Sequence, residues 1–301
     1  MTRGLGRAHI EQEADGTVVG RWGPYVLRTA FQPIFEFDGS GLRQHAFEAL
    51  VRPSRDGSPL SPNTFFKAIA AGDRLSVEAL ARDLQILNAG IALGPDVVLF
   101  INFDPSLFCE RSIVDAARSE MREVVAEARL QPARIVCEVT EQSSASVGAL
   151  QDFVSALRSD GYRVAVDDYG TESSDMERVK QLHPDIVKFD SRWIGRLMET
   201  RSGIALLKVM VEEFRQKNIL TVLEGIEEDW QIDVAAEVGV SMIQGFALAR
   251  PEIARTGLPI ATALVDLDGA SDCDPPQSPS ARRAGGPAQK RPGRVFGRRG
   301  L

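Results

Sequence analysis

The chain has 301 residues, of which 44% are hydrophobic and 26% charged, with a formal net charge of −7. That composition fits a globular body, and no run approaches the roughly 18 consecutive apolar residues of a membrane span. Three cysteines, Cys109, Cys137 and Cys273, are too few and too scattered for a disulfide framework or a cysteine-rich zinc site, so a reduced, cytoplasmic setting is expected.

Residues 1–24 carry Arg3 and Arg7 with no apolar stretch behind them, which argues against a signal peptide, and they read as a poorly ordered leader. From 25 to 262 short β-rich runs alternate with segments of helical apolar spacing. The runs fall at 29–37, 45–51, 97–103, 134–139, 163–166, 186–189, 220–223 and 241–244, and helical spacing is clearest at 77–87, 147–157, 204–214 and 232–238. Eight strands alternating with helices predict an α/β fold, a (β/α)8 TIM barrel. The first connection breaks the pattern. Asp38-Gly39-Ser40-Gly41 is too short for a helical crossover and reads as a hairpin turn, so the first strand should run antiparallel in a modified barrel. The gap from 53 to 96 then holds two helices, with Ser61-Pro62 and Gly72-Asp73 as turn signals.

Beyond 262 the chain turns rich in Pro, Gly, Ser and Arg, and a disordered basic tail is expected over 263–301. Residues 281–301 hold seven Arg or Lys and no acid, which leaves the remaining 280 residues with 28 basic against 42 acidic side chains. The tail reads as solvated, or as a contact for nucleic acid, anionic lipid or an acidic partner that the sequence does not identify. The acidic body is a poor polyanion binder unless its acids gather around metal ions.

A barrel places its chemistry at the C-terminal ends of its strands. There the second run ends in Glu48, the third in Asn102, the fourth in Glu138 with Glu141 beyond it, and the fifth in Asp167-Asp168. The sixth ends in Lys188 with Asp190 following, the seventh in Glu224 with Glu227 following, and the eighth in Gln244. A single acid at a strand end commonly caps the next helix. Carboxylates converging from four strands would repel one another without cations, and hard oxygen ligands suit Mg²⁺ or Mn²⁺. Adjacent Asp167 and Asp168 are suited to bridging two ions about 3.5–4 Å apart. His9, His45 and His183 have no ligand-like spacing and read as structural or solvated, and Cys137 as a small core residue.

Several motifs in order resemble the EAL domain, named for Glu48-Ala49-Leu50: Gln32-Pro33-Ile34, Glu48 to Arg52, Asn102 with Pro105, Glu138-Val139-Thr140-Glu141, Asp167-Asp168-Tyr169-Gly170, Asp185 to Asp190, Glu224-Gly225-Ile226-Glu227 and Gln244-Gly245. The resemblance runs from 31 to 251. It implies a cytoplasmic, metal-dependent phosphodiesterase that opens cyclic di-GMP to linear pGpG with two Mg²⁺ or Mn²⁺ ions per site. Glu48, Asn102, Glu138 and Asp167 resemble the ligands of one ion, and Asp167, Asp168 and Glu224 those of the other. Glu224, Lys188 and Asp168 take the catalytic positions, with Lys188 holding the attacking water or phosphate. Gln32, Leu50, Arg52 and Gln244 match positions that line the dinucleotide, while Glu141, Asp190 and Glu227 match positions that steady the loops. The resemblance also implies a homodimer near the loop after Asp168.

That loop departs from the pattern, with Glu172 where active members usually carry glycine, and Asp104 stands where Ser is usual. A side chain there strains a backbone that favours positive φ. The alternative reading is therefore a catalytically impaired domain that holds cyclic di-GMP or a protein partner. A Schiff-base aldolase using Lys188 is disfavoured, because such lysines are desolvated to lower their pKa and this one stands among acids.

Overall fold

The computed structural model describes residues 9–39, 41–108, 110–139, 147–171 and 175–258. All lie in one unit within residues 1–269. The expected tail, Glu141 and Glu172 fall outside the described residues.

The segment read as a poorly ordered leader contributes two strands from Ile10 onward. Strand β1 (Ile10–Gln12) pairs antiparallel with β2 (Val18–Trp22), which pairs with β3 (Tyr25–Phe37). The reason is tertiary. Asn88 accepts from Val18 N and donates to Val18 O, both at 2.8 Å, so a buried amide from a distant helix completes the strand's hydrogen bonding. Ile10, Val18 and Trp22 pack on a small core around Leu27, Phe65 and Leu80. Residues 1–8 lie outside the described residues.

Strand β3 turns back into β4 (Leu42–Arg55) as the expected hairpin, with Asp38 N donating to Gly41 O at 3.1 Å. After the short β5 (Ser58–Pro59), helix α1 (Pro62–Ala68) starts at Ser61, whose hydroxyl accepts from Thr64 N at 3.2 Å. Helix α2 (Arg74–Ala92) follows, so the 53–96 gap does hold two helices. Then come β6 (Val98–Phe103), α3 (Arg111–Glu127), β7 (Ile135–Val139), α4 (Val147–Ser159), β8 (Arg163–Tyr169), α5 (Asp175–Leu182) and β9 (Ile186–Phe189). The described chain ends with α6 (Ser191–Met198), α7 (Arg201–Gln216), β10 (Leu220–Leu223), α8 (Asp229–Val238), β11 (Met242–Ile243) and β12 (Glu252–Ile253).

Strands β4, β6, β7, β8, β9, β10 and β11 pair in parallel succession, and β3 closes the barrel by pairing antiparallel with both β4 and β11. These eight are the eight expected runs. The barrel interior is filled by Ile34, Ala46, Val98, Phe100, Val136, Ala165, Ile186, Val222 and Met242. Each large member of this layer contributes on the order of 1.5–3 kcal/mol by leaving water. The outward faces of the strands pack against the helices in two further apolar clusters. The mouth therefore rests on a filled, rigid plug.

Candidate active site

Strand side chains alternate faces, so the residue two positions beyond an inward residue also points inward. Applied to the interior layer, that step leads from Ala46 to Glu48, Phe100 to Asn102, Val136 to Glu138, Ala165 to Asp167, Ile186 to Lys188, Val222 to Glu224 and Met242 to Gln244. On antiparallel β3 the step runs backwards from Ile34 to Gln32, which pairs with Glu48. The seven expected strand-end positions and Gln32 thus form one polar layer above the apolar plug.

Asp168 breaks the alternation, since a regular strand would aim it away from Asp167. Its φ of +56° puts it in the left-handed region, and the register between β8 and β9 shifts between Val166 and Tyr169. Such a bulge re-aims side chains, often beside functional sites. Here ligand oxygens of Asp167, Asp168 and Glu224 come within 4.8 Å of one another.

Lys188 stands at the centre of the rest. Its ammonium lies 2.5 Å from Glu138 Oε1, 2.5 Å from Glu224 Oε1, 3.4 Å from Asp167 Oδ1 and 3.8 Å from Glu48 Oε2. Lys188 and Glu138 are almost wholly buried, at 1% and 0% side-chain exposure, while Glu224 keeps 21%. Asn102 Nδ2 donates to Glu48 Oε1 at 3.2 Å, and Gln244 Nε2 donates to Glu48 Oε2 at 2.8 Å.

The electrostatics follow from burial and crowding. Burial opposes the Lys188 charge, but Asp167, Glu138, Glu224 and Glu48 outweigh it and hold the ammonium well above its ordinary range. Burial pushes the Glu138 carboxyl well up, reinforced by Glu48 and Asp167 and opposed by Lys188. Burial, with Asp167 and Glu48, likewise pushes Glu224 up to about 8 against the pull of Lys188.

The donor set fits hard cations. Buried oxygens Glu138 Oε2, Asp167 Oδ1 and Gln244 Oε1 accept no hydrogen bond, and buried acceptors of that kind normally have a partner. Together with the oxygens of Asp168 and Glu224 they are donors of the kind a hard divalent cation takes.

Two cavities open beside this polar layer. One, of about 270 Å³, is lined by Gln32, Glu48, Glu224, Glu227, Gln244 and Phe246. The other, of about 170 Å³, carries Leu50, Arg52 and Asn102 among its walls. The expected dinucleotide-lining residues are thus divided between two hollows. Asp190 caps α6, accepting from Trp193 N at 2.9 Å, and Glu227 N donates to Gln231 Oε1 at 2.7 Å. Phe246, Ser191, Glu78 and Arg82 line these cavities without having been singled out from the sequence. A signal existed for Arg82, which falls with Asp83 among the buried apolar residues of α2.

Gly245 sets the spacing of the loops that carry Glu224 and Gln244. A Cβ there would lie 2.0 Å from Ile226 O and 2.3 Å from Ile226 N. Without one, Ile226 N reaches Gln244 O and Ala247 N reaches Ile226 O, both at 3.0 Å. Gly245→Ala is expected to cost about 1–3 kcal/mol by overpacking, read as a lowered urea midpoint. An unchanged midpoint would show that the two loops yield without strain.

The EAL domain family model matches residues 26–251. The chain is 24% identical over 226 residues to the probable cyclic di-GMP phosphodiesterase PdeA of Escherichia coli, covering 73% of this chain and 30% of PdeA. It is 26% identical over 227 residues to the cyclic di-GMP phosphodiesterase RocR of Pseudomonas aeruginosa, covering 73% of this chain and 56% of RocR. It thus spans about a third to just over half the length of these relatives. Klebsiella pneumoniae BlrP1 superimposes with a TM-score of 0.68 and 26% identity in its calcium and cyclic di-GMP complex, over 84% of this chain and 61% of that one. The manganese and cyclic di-GMP complex at pH 9.0 gives 0.67 and 27%, over 77% and 57%. No described helix is long and apolar enough to cross a membrane.

Proposed function

This chain belongs to the EAL domain family, and from that premise we propose that it hydrolyses cyclic di-GMP to linear pGpG with two divalent cations. The observation that carries the reading is the polar layer itself. Glu48, Glu138, Asp167 and Glu224 gather around the ammonium of Lys188, and Asp168 joins Asp167 and Glu224 beside it. Five carboxylates against one ammonium leave four formal negative charges, the number that two divalent cations cancel.

Glu48, Asn102, Glu138 and Asp167 would hold one ion, and Asp167, Asp168 and Glu224 the other. Bound there, such ions supply Lewis-acid chemistry, polarising a phosphoryl oxygen and acidifying water. The side chains do the rest. Glu224 lines the larger cavity and keeps partial exposure, so it can orient a water and take its proton. Lys188 stays charged among its acids and donates to the attacking water or to a phosphoryl oxygen. Arg52 lines the smaller cavity, where its planar fork suits a phosphate. Gln32 and Gln244 wall the other, with Gln244 fixing Glu48 through the 2.8 Å hydrogen bond.

Incubation of the purified protein with cyclic di-GMP and Mn²⁺ or Mg²⁺ is expected to release pGpG, and EDTA to stop it. Absence of product at micromolar enzyme with either metal would overturn the proposal. Metal binding has a readout of its own. An ion at a hundred times its Kd stabilises the fold by about 2.7 kcal/mol, so Mn²⁺ is expected to raise Tm in the absence of nucleotide.

A further inference from the structure

The smaller cavity is lined by a buried cation with an unsatisfied donor. Arg82, on α2, is 3% exposed. Its guanidinium lies over the rings of Phe103 and Phe108, at 4.8 and 6.0 Å from their centroids. Its Nε is buried without a hydrogen-bond partner, and the carboxyl coupled to it electrostatically is Glu78, one helical turn before it. A buried donor left without a partner is unfavourable, and Arg82 lines a hollow whose other polar walls include Arg52, Glu78 and Asn102. Leu50, Pro62 and Phe66 supply apolar walls to the same space.

The lining selects among ligands. A bare phosphate would satisfy Arg52 and Arg82 but would meet the Glu78 carboxylate and the apolar walls. A flat heteroaromatic ring with acceptors on one edge and donors on another suits the whole set. Guanine is such a ring: O6 and N7 accept, the pair that an arginine fork reads, whereas adenine presents an amino donor at that edge. Guanine's N1–H and amino group face the other way and suit a carboxylate such as Glu78, one helical turn before Arg82. Resting on the cyclic di-GMP reading above, we propose that Arg82 is a specificity-determining residue that reads the O6 and N7 edge of one guanine in the Leu50–Arg52 cavity.

The test uses the full chain with Mn²⁺, measuring kcat and KM for cyclic di-GMP and cyclic di-AMP, with calorimetric binding of both. Bis(p-nitrophenyl) phosphate serves as a base-free phosphodiester. Arg82→Met keeps the length and apolar stem and removes the donors. It is expected to lower kcat/KM for cyclic di-GMP by about 10–100-fold, the discrimination of one bidentate contact, mainly through KM. The preference over cyclic di-AMP should fall by the same factor, while turnover of the base-free ester stays within about twofold of wild type. Arg82→Lys keeps the charge without the fork and should show the same loss of preference, which carries the test if the Met variant does not fold. Equal loss on all three substrates, or an unchanged preference, would overturn the proposal and leave Arg82 as a packing residue. If wild type binds cyclic di-GMP without cleaving it, the hydrolase reading fails, and Arg82 is judged on affinities alone. If wild type neither binds nor cleaves it, both readings fall.

Discussion

Asp167→Asn is expected to abolish hydrolysis while making the metal-free protein more stable. Asp167 stands in both proposed ligand sets, its Oδ1 is buried without a hydrogen bond, and it lies 3.4 Å from Lys188. Replacing it removes one of five crowded carboxylates and keeps the shape. Lys188 retains Glu138 and Glu224, each at 2.5 Å, so the loss of one partner is outweighed by relief of repulsion among the acids that remain. A gain of about 1 kcal/mol in EDTA corresponds to a Tm rise of about 2–4 °C for a body of this size. Turnover should fall by about 10²–10³-fold or more, the cost of removing one group that stabilises developing charge. The Mn²⁺-dependent rise in Tm should shrink with it. Two measurements decide: a thermal scan with and without Mn²⁺, and pGpG release. A variant that keeps the wild-type Mn²⁺ shift would show that Asp167 holds no ion. One less stable in EDTA would show that the ammonium needs this carboxylate more than the other acids gain by its loss.

Lys188→Met is expected to act in the opposite sense. Removing one partner of a buried ion pair typically costs about 3–5 kcal/mol, because the other charge is left uncompensated. Here that charge is Glu138, with no exposed side-chain surface. The carboxyls left behind are raised above their unfolded values. Their destabilising contribution is therefore full at pH above the folded pKa and fades as pH falls and they take up protons. Urea unfolding in EDTA should show the full deficit at pH 8.5 and a smaller one near pH 5.5. Mn²⁺ should narrow the deficit at pH 8.5, since divalent ions replace the missing positive charge. Activity should stay low even then, because ions restore charge but not the donor aimed at water or phosphate. A deficit independent of both pH and Mn²⁺ would mean that the Lys188 stem packs the barrel and its charge is incidental.

The two variants probe one arrangement from opposite sides, an excess of negative charge held over an apolar plug. The Asp167 variant relieves that excess and the Lys188 variant worsens it. Uncharged packing residues at these positions would give neither pattern.

Much of this arrangement is legible in the amino-acid sequence. The eight strands stand where the apolar runs placed them, and the short Asp38–Gly41 connection alone required the antiparallel first strand, because no crossover fits in it. The polar layer is legible as strand-end residues, and more firmly as period-two steps from Ala46 to Glu48 or Ile186 to Lys188, since side-chain parity is a local property of an extended chain. The strands at 10–12 and 18–22 are not legible. They depend on an amide from Asn88, some 70 residues away, and their few apolar residues make no periodic signal. That Arg82 Nε is buried without a hydrogen-bond partner is hidden for the same reason, because sequence shows a donor but not whether the fold supplies its acceptor.

By itself, then, the sequence determined the barrel, its one reversed strand and the identity of the groups at its mouth, because hydrophobic period and turn length act over a few residues. Only the tertiary structure decided how those groups face one another. Asp168 turns toward its neighbour through a left-handed backbone and a shifted register, and Lys188 lies within 4 Å of four acids, three on different strands and Glu224 just beyond β10. The physical reason is closure of the sheet. Charges more than a hundred residues apart meet only when β3 joins β4 to β11, and their energies depend on that distance and on the water excluded with it.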